Sequence, residues 1–183
     1  MIFIQNNVPS IKNSKQIVVI KRESGRIERR LISSKTVKKY LFSLGIESYS
    51  TRKKEIKLNN EFNGINPFRS LMDLFFEKEK LPSVYPVTFY FFFVRSSRRK
   101  FDYNNVMQIL ADLLVAHDFI PDDDADHFIG IPCGYIVEPE APGVYISFNP
   151  ISKEAAMKEN KHMRENYYTD EFFENLRMRW ENE

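Results

Sequence analysis

The sequence predicts an α+β fold, a mixed β-sheet with helices packed mainly on one side, followed by a C-terminal helical extension. Three observations carry this expectation. Val87 to Val94 (VTFYFFFV) is nearly continuous aromatic and β-branched sequence, which suits a strand covered on both faces near the middle of a sheet. Val106, Ile109, Leu110, Leu113 and Leu114 recur at three- and four-residue spacing, the pattern of an amphipathic helix over residues 103 to 117. From Ile151 to Glu183 the chain is charged and helix-favouring, with Tyr167, Tyr168, Phe172, Phe173, Leu176 and Trp180 as apolar anchors. One α+β domain is therefore expected over residues 1–150 and a helical extension over 151–183.

Taken in order, Met1 to Ile4 is a short strand candidate, and Gln5 to Lys15 a polar loop containing Pro9. Gln16 to Lys21 (QIVVIK) reads as a β-branched strand, which Gly25 turns into Arg26 to Ile32. Ser33 or Ser34 caps a helix over Lys35 to Ser43, and Gly45 stops it. Ser48 to Asn63 is polar and basic without apolar periodicity, and is expected to be a surface loop. Asn66-Pro67 supplies an N-cap and a first-turn proline for a helix to about Glu79, with Phe68, Leu71, Met72, Phe75 and Phe76 as its apolar stripe. Phe128 to Val137 and Val144 to Phe148 read as two strands joined by the turn-prone EPEAPG segment, a hairpin. In the tail Thr169 is a second possible N-cap, so one interrupted helix or two fit equally.

The composition, 43% hydrophobic with 16 Phe and 9 Tyr, excludes a wholly disordered chain, and 183 residues suffice for a real core. A net charge of +2 says nothing globally about nucleic acid, so any such argument rests on where charges cluster. The single cysteine, Cys133, excludes an internal disulfide framework and is expected as a buried strand residue. No stretch is long and apolar enough to span a membrane, and the first residues lack a signal-peptide pattern, so a cytoplasmic protein is expected. His117, His127 and His162 show no zinc-ligand spacing, and the helix dipole accounts for His117. The absence of a glycine-rich phosphate loop argues against a nucleotide cofactor.

The richest stretch chemically is Phe101 to Asp124. It gathers Asp102, Asp112, Asp122, Asp123 and Asp124 just after the basic run Arg98, Arg99, Lys100. So many like charges beside an apolar core call for a metal ion or cationic partner, and the basic run points to a polyanion. Asn105, Gln108 and Asp112 share one helix face, with Asp102 just ahead of it. Mg²⁺ takes oxygen ligands, typically one or two carboxylates with water and phosphate, so Asp102 with Asp123 could hold it. Reach limits this pairing. A helix of this length carries the chain roughly 20 Å, and the short return from Asp118 covers only about 3.3 Å per residue. The ends meet only if the return is extended, the helix stops early, or a second subunit contributes. On spacing alone a plainer account comes first: Asp102 as an N-cap and Pro121 to Asp124 as a solvated turn.

Residues 87 to 148 resemble the RusA family of Holliday-junction resolvases, and that shifts the balance. The family pattern is a hydrophobic strand, a basic turn, Asp-x-Asp-Asn opening a helix, a lysine three residues on, a further helical Asp, and Asp-Asp before the next strand. Here these positions are Val87 to Val94, Arg98 to Lys100, Asp102-Tyr103-Asn104-Asn105, Gln108, Asp112 and Asp122-Asp123. The loop with Pro9, Ser10 and Asn13 is more weakly similar to the family's opening segment. The resemblance implies a homodimeric, Mg²⁺-dependent endodeoxyribonuclease acting on branched double-stranded DNA, with Asp102 and Asp123 as metal ligands. Asp122, Asn104 and Asp112 would support them, Asn105 would orient the helix start, and water would be the nucleophile. Lys12, Lys15, Arg98, Arg99 and Lys100 would contact DNA; Lys38, Lys39, Arg52, Lys53 and Lys54 are further candidates. Two positions depart from the pattern. Asn104 offers a neutral oxygen in place of a carboxylate, and Gln108 cannot supply the cation of the family's lysine. Three readings stay open: a divergent nuclease, a homologue that binds branched DNA without cutting it, and an interaction domain whose acids are caps and turns.

Overall fold

The structure, a computed structural model, describes residues 1–10, 15–21, 27–59, 64, 66–79 and 84–167. Its elements are β1 (Ile2–Gln5), β2 (Lys15–Lys21), β3 (Ile27–Ser33), α1 (Lys35–Ser43), β4 (Ile46–Ser50), β5 (Glu55–Leu58), α2 (Pro67–Glu79), β6 (Val87–Arg95), α3 (Tyr103–Ala116), β7 (Phe128–Val137), β8 (Gly143–Ser147) and α4 (Lys153–Tyr167). The class is α+β. Two compact units divide the chain: one takes Met1–Asn7, Phe89–Arg99 and everything from Ile131 onward, the other Val8–Thr88 and Lys100–Gly130.

The first unit is built on a four-stranded sheet in the order β1-β8-β6-β7. β8 pairs antiparallel with β1 (Ile2 opposite Ile146) and with β6 (Phe92 opposite Tyr145). β7 lies along the other flank of β6. Val87 N–H donates to His127 C=O at 3.0 Å and Glu138 N–H to Arg95 C=O at 2.9 Å, start to start and end to end, so this pair is parallel and the sheet mixed. The expected hairpin between β7 and β8 does not form, because β6 runs between them. Turn residues report that the chain reverses, not which strand it meets afterwards. A parallel partner needs a long crossover, here the α3 segment, and that fills one flank of β6 and leaves the other for β8.

β6 is buried on both faces, as its composition requires: Phe89, Phe91 and Phe93 point one way, Phe92 and Val94 the other, all at 1% exposure or less. Phe92, Val94, Tyr145, Ile151 and Ala156 form one core cluster, with Phe3, Tyr90, Cys133 and Ile136 packed around it. The start of α4 thus belongs to the packing of the sheet. Cys133 is in the strand, as expected, but half-buried, its Sγ 3.5 Å from the Ile151 amide. Gly143 opens β8 where no side chain fits: a Cβ there would lie 2.3 Å from the Phe3 ring and 2.5 Å from the Ile4 carbonyl oxygen.

In the second unit α1 begins at the N-cap Ser34, whose Oγ accepts from the Val37 amide at 3.4 Å, and Gly45 at φ 75° follows its end. The stretch expected as a loop from Ser48 holds most of an antiparallel hairpin, β4 with β5, which begins at Ile46. Its alternation is only four or five residues long and its outward positions are charged, so the period-two signal was swamped. β2 and β3 pair antiparallel over their whole length. The Gly25 turn, Lys12, Asn13 and the tail anchors from Tyr168 onward lie outside the described residues. Among the described residues no helix is long and apolar enough to cross a membrane.

Candidate functional site

α3 positions the acids. Val106, Ile109, Leu110, Leu113 and Leu114 are fully buried, while Asn104 and Gln108 are exposed. Asp102 is the N-cap, with extended backbone at φ −108° and ψ 124°. Its Oδ1 accepts from the Asn104 amide and its Oδ2 from the Asn105 side-chain Nδ2, both at 3.0 Å. Both carboxylate oxygens are thus engaged within the first helical turn, and Asn105 fixes the carboxylate's orientation. Asp112 has a different partner: it accepts the Tyr49 hydroxyl at 3.0 Å, from β4. Burial first, then the Asp112 charge and this hydrogen bond, push the Tyr49 phenol well above its ordinary range. The two line a cavity of about 660 Å³ together with Lys38, Arg52 and Ile109.

The far end of α3 fixes the acidic loop. His117 is the C-cap and is 3% exposed, between the rings of Phe68 (4.9 Å) and Phe119 (6.1 Å). Nδ1 lies 2.8 Å from the Leu113 carbonyl oxygen and Nε2 2.7 Å from the Asn66 Nδ2. One neutral tautomer satisfies both: Nδ1–H donates to the carbonyl and Nε2 accepts from the amide. Burial first, and Arg69 after it, lower the ring's pKa against the opposing effects of the Leu113 bond and Asp73. His117 is therefore a buried neutral link, not the helix-end cation expected from the dipole. Asn66 meanwhile caps α2, its Oδ1 accepting from the Arg69 amide at 3.0 Å. Asp118 turns the chain at φ 61° and pairs with Lys54 at 3.0 Å; Phe119 packs on Phe76 at 4.8 Å and Ile120 is 1% exposed.

Asp122, Asp123 and Asp124 follow on the surface. Asp122 Oδ1 accepts from the Asp123 amide at 2.8 Å. Partial desolvation, then a hydrogen bond with Asp122 and the charges of Asp122 and Asp124, hold the Asp123 carboxyl above its usual range against one backbone hydrogen bond that lowers it. Asp124 does the opposite: His127 Nδ1 at 2.7 Å and the amides of Asp126 and His127 keep it below that range. Asp124 is thus a turn-forming residue, and Asp122 with Asp123 is the electrostatically loaded pair.

The chain matches no family model, no curated protein and no solved structure. The donor set must therefore be judged by itself. A carboxylate pair in which one member resists ionisation beside the other suits a hard cation in donor type and in charge. Among the described residues, no group of three or more His, Cys, Asp and Glu is arranged to hold a metal ion. The pair fits an ion that completes its shell with water and phosphate rather than an all-protein cage.

Arg98, Arg99 and Lys100 are exposed after β6. Lys38, Lys39 and Arg52 are exposed as well, and Lys53 lies 4.0 Å from Glu55. Lys15 opens β2, and its side chain, like all of Lys12, lies outside the described residues. Sequence reasoning missed Tyr49, for which no local signal existed, and the Asp124–His127 pair, which the three-residue spacing could have revealed.

Proposed function

We propose that this protein is a RusA-like, divalent-cation-dependent endodeoxyribonuclease that acts on four-way DNA junctions in the cytoplasm. The observation that carries the reading is the Asp122–Asp123 pair, two adjacent carboxylates on an anchored loop, one of them with raised proton affinity. These two side chains would hold the cation. Asp102, fixed by Asn104 and Asn105 at the opposite end of α3, would orient the helix start, and would reach a cation only from a second copy of the chain. A divalent cation, when bound, supplies positive charge against the charge that builds on a phosphodiester under attack by water. Exposed Gln108 can donate a hydrogen bond to phosphate but no charge; Arg99 or Lys100 would supply the missing cation. Two copies of the chain would match the two-fold symmetry of the junction.

A second reading, a homologue that binds branched DNA without cutting it, is favoured by one observation: both oxygens of Asp102 already accept hydrogen bonds within its own helix turn. The deciding experiment is Mg²⁺-dependent nicking of a synthetic four-way junction, run beside Asp123→Asn and the double variant Asn104→Asp, Gln108→Lys. Cleavage lost in Asp123→Asn supports the nuclease. Cleavage gained only in the double variant identifies a decayed site. Binding without cleavage in all three supports the second reading, and neither binding nor cleavage rejects both.

A further inference from the structure

We propose that the groove between β7 and α4 binds one strand of single-stranded nucleic acid, phosphates on its lysines and a base against Tyr135. The groove lies wholly in the first unit and encloses about 770 Å³. Four cations line it, Arg98 from the turn after β6 and Lys153, Lys158 and Lys161 from α4, against one carboxylate, Glu138. Each of the three lysines is exposed, and Lys158 and Lys161 lie three residues apart on one face of α4.

The floor distinguishes this groove from an ordinary basic surface. Tyr135 is 47% exposed and Met157 50%, and they face the same space as the cations. An exposed ring within a ring of cations is the arrangement that grips unpaired strands: stacking is available to any base, and the charges follow the backbone. A duplex offers its phosphates but keeps its base faces covered, so it cannot use Tyr135. Asn160 also lines the groove and is 2% exposed. The inference extends the nucleic-acid reading above, yet it concerns residues other than those of the acidic loop and needs no cleavage.

The test is fluorescence anisotropy of a labelled oligo-dT and of a duplex of equal length, titrated across a range of salt concentrations. The variants are Lys153→Gln/Lys158→Gln/Lys161→Gln, Tyr135→Ala and Tyr135→Phe. A charge-matched control, Lys35→Gln/Lys57→Gln/Lys78→Gln, lies in the other unit. The groove triple variant should flatten the slope of log K against log salt by about 2, at roughly 0.7 per lost strand contact. Tyr135→Ala should weaken oligo-dT binding roughly 5- to 150-fold, with duplex binding unmoved and Tyr135→Phe close to wild type. The proposal is overturned if the two triple variants behave alike, if Tyr135→Ala leaves oligo-dT binding unchanged, or if poly-glutamate competes as well as oligo-dT. Junction nicking in the same preparations reads out the acidic loop separately. Nicking with unaltered groove variants sinks the groove alone, and groove-dependent binding without nicking sinks the nuclease alone.

Discussion

His117→Ala tests how the acidic loop is held. The substitution removes two hydrogen bonds, to the Leu113 carbonyl (2.8 Å) and from the Asn66 side chain (2.7 Å), in a residue 3% exposed. At about 1 kcal/mol each these amount to about 2 kcal/mol, and the Asn66 amide left without its acceptor adds about 1 more. Lost contact with the Phe68 ring at 4.9 Å contributes about 1 kcal/mol. The expected destabilisation is about 4 kcal/mol, roughly 8 to 16 °C in Tm for a chain of this size. Urea and thermal unfolding by circular dichroism at pH 7.5 measure it. The pH dependence supplies a sharper check. The ring's pKa is lowered in the folded state, so its stabilisation is complete above the unfolded value near 6.5 and is lost as pH falls through the folded value. The gap between wild type and variant should therefore narrow from pH 7.5 to pH 5. Amide exchange over residues 119–124 should accelerate in the variant at pH 7.5. A loss below about 1 kcal/mol, or a gap that stays constant with pH, refutes the argument.

Asp123→Asn should raise Tm at neutral pH, the gain vanishing toward pH 3. A raised folded pKa favours the protonated form, so stability present at low pH is lost as pH rises through that value. Mg²⁺ at neutral pH should stabilise the wild type and not this variant, a readout independent of cleavage. Gly143→Ala, which drives a methyl group against Phe3 and the Ile4 carbonyl, should cost about 1 to 3 kcal/mol in urea denaturation; a neutral result would mean that β1 and β8 separate easily. Tyr49→Phe should cost about 1.5 kcal/mol in the same assay and leave the far-UV spectrum unchanged, because only the hydroxyl on Asp112 is lost.

What could be read in advance divides along physical lines. β6 and α3 were legible because burial on both faces, or on one face of a helix, writes a long periodic pattern. The caps Ser34, Asn66 and Asp102 were legible for a local reason: a side-chain acceptor two or three residues before its backbone donor is a sequence feature. Strand pairing was not local. The EPEAPG turn suggested β7 beside β8, whereas the parallel demand of the α3 crossover put β6 between them. β4 and β5 were lost because short, half-exposed strands carry too few apolar positions to stand out from a basic segment. Within the site, the bond from Asn105 to Asp102 spans three residues of one helical turn, but Asp112's partner comes from a residue 63 positions away. No spacing rule reaches that far. His117 shows the same limit, since whether a histidine at a helix end carries charge depends on what covers it.

β7 stands last in the order of its sheet and carries Pro132 and Gly134 mid-strand, the latter at φ 134°. Proline contributes no amide hydrogen, and a glycine in that conformation breaks the pleat. A stray extended segment could zip along only a few residues of this border before losing register. Ile129 and Ile131, apolar and uncovered, would otherwise invite fibril growth there. Replacing Pro132 with valine would remove that safeguard, and the consequence would surface first as loss of soluble protein on storage.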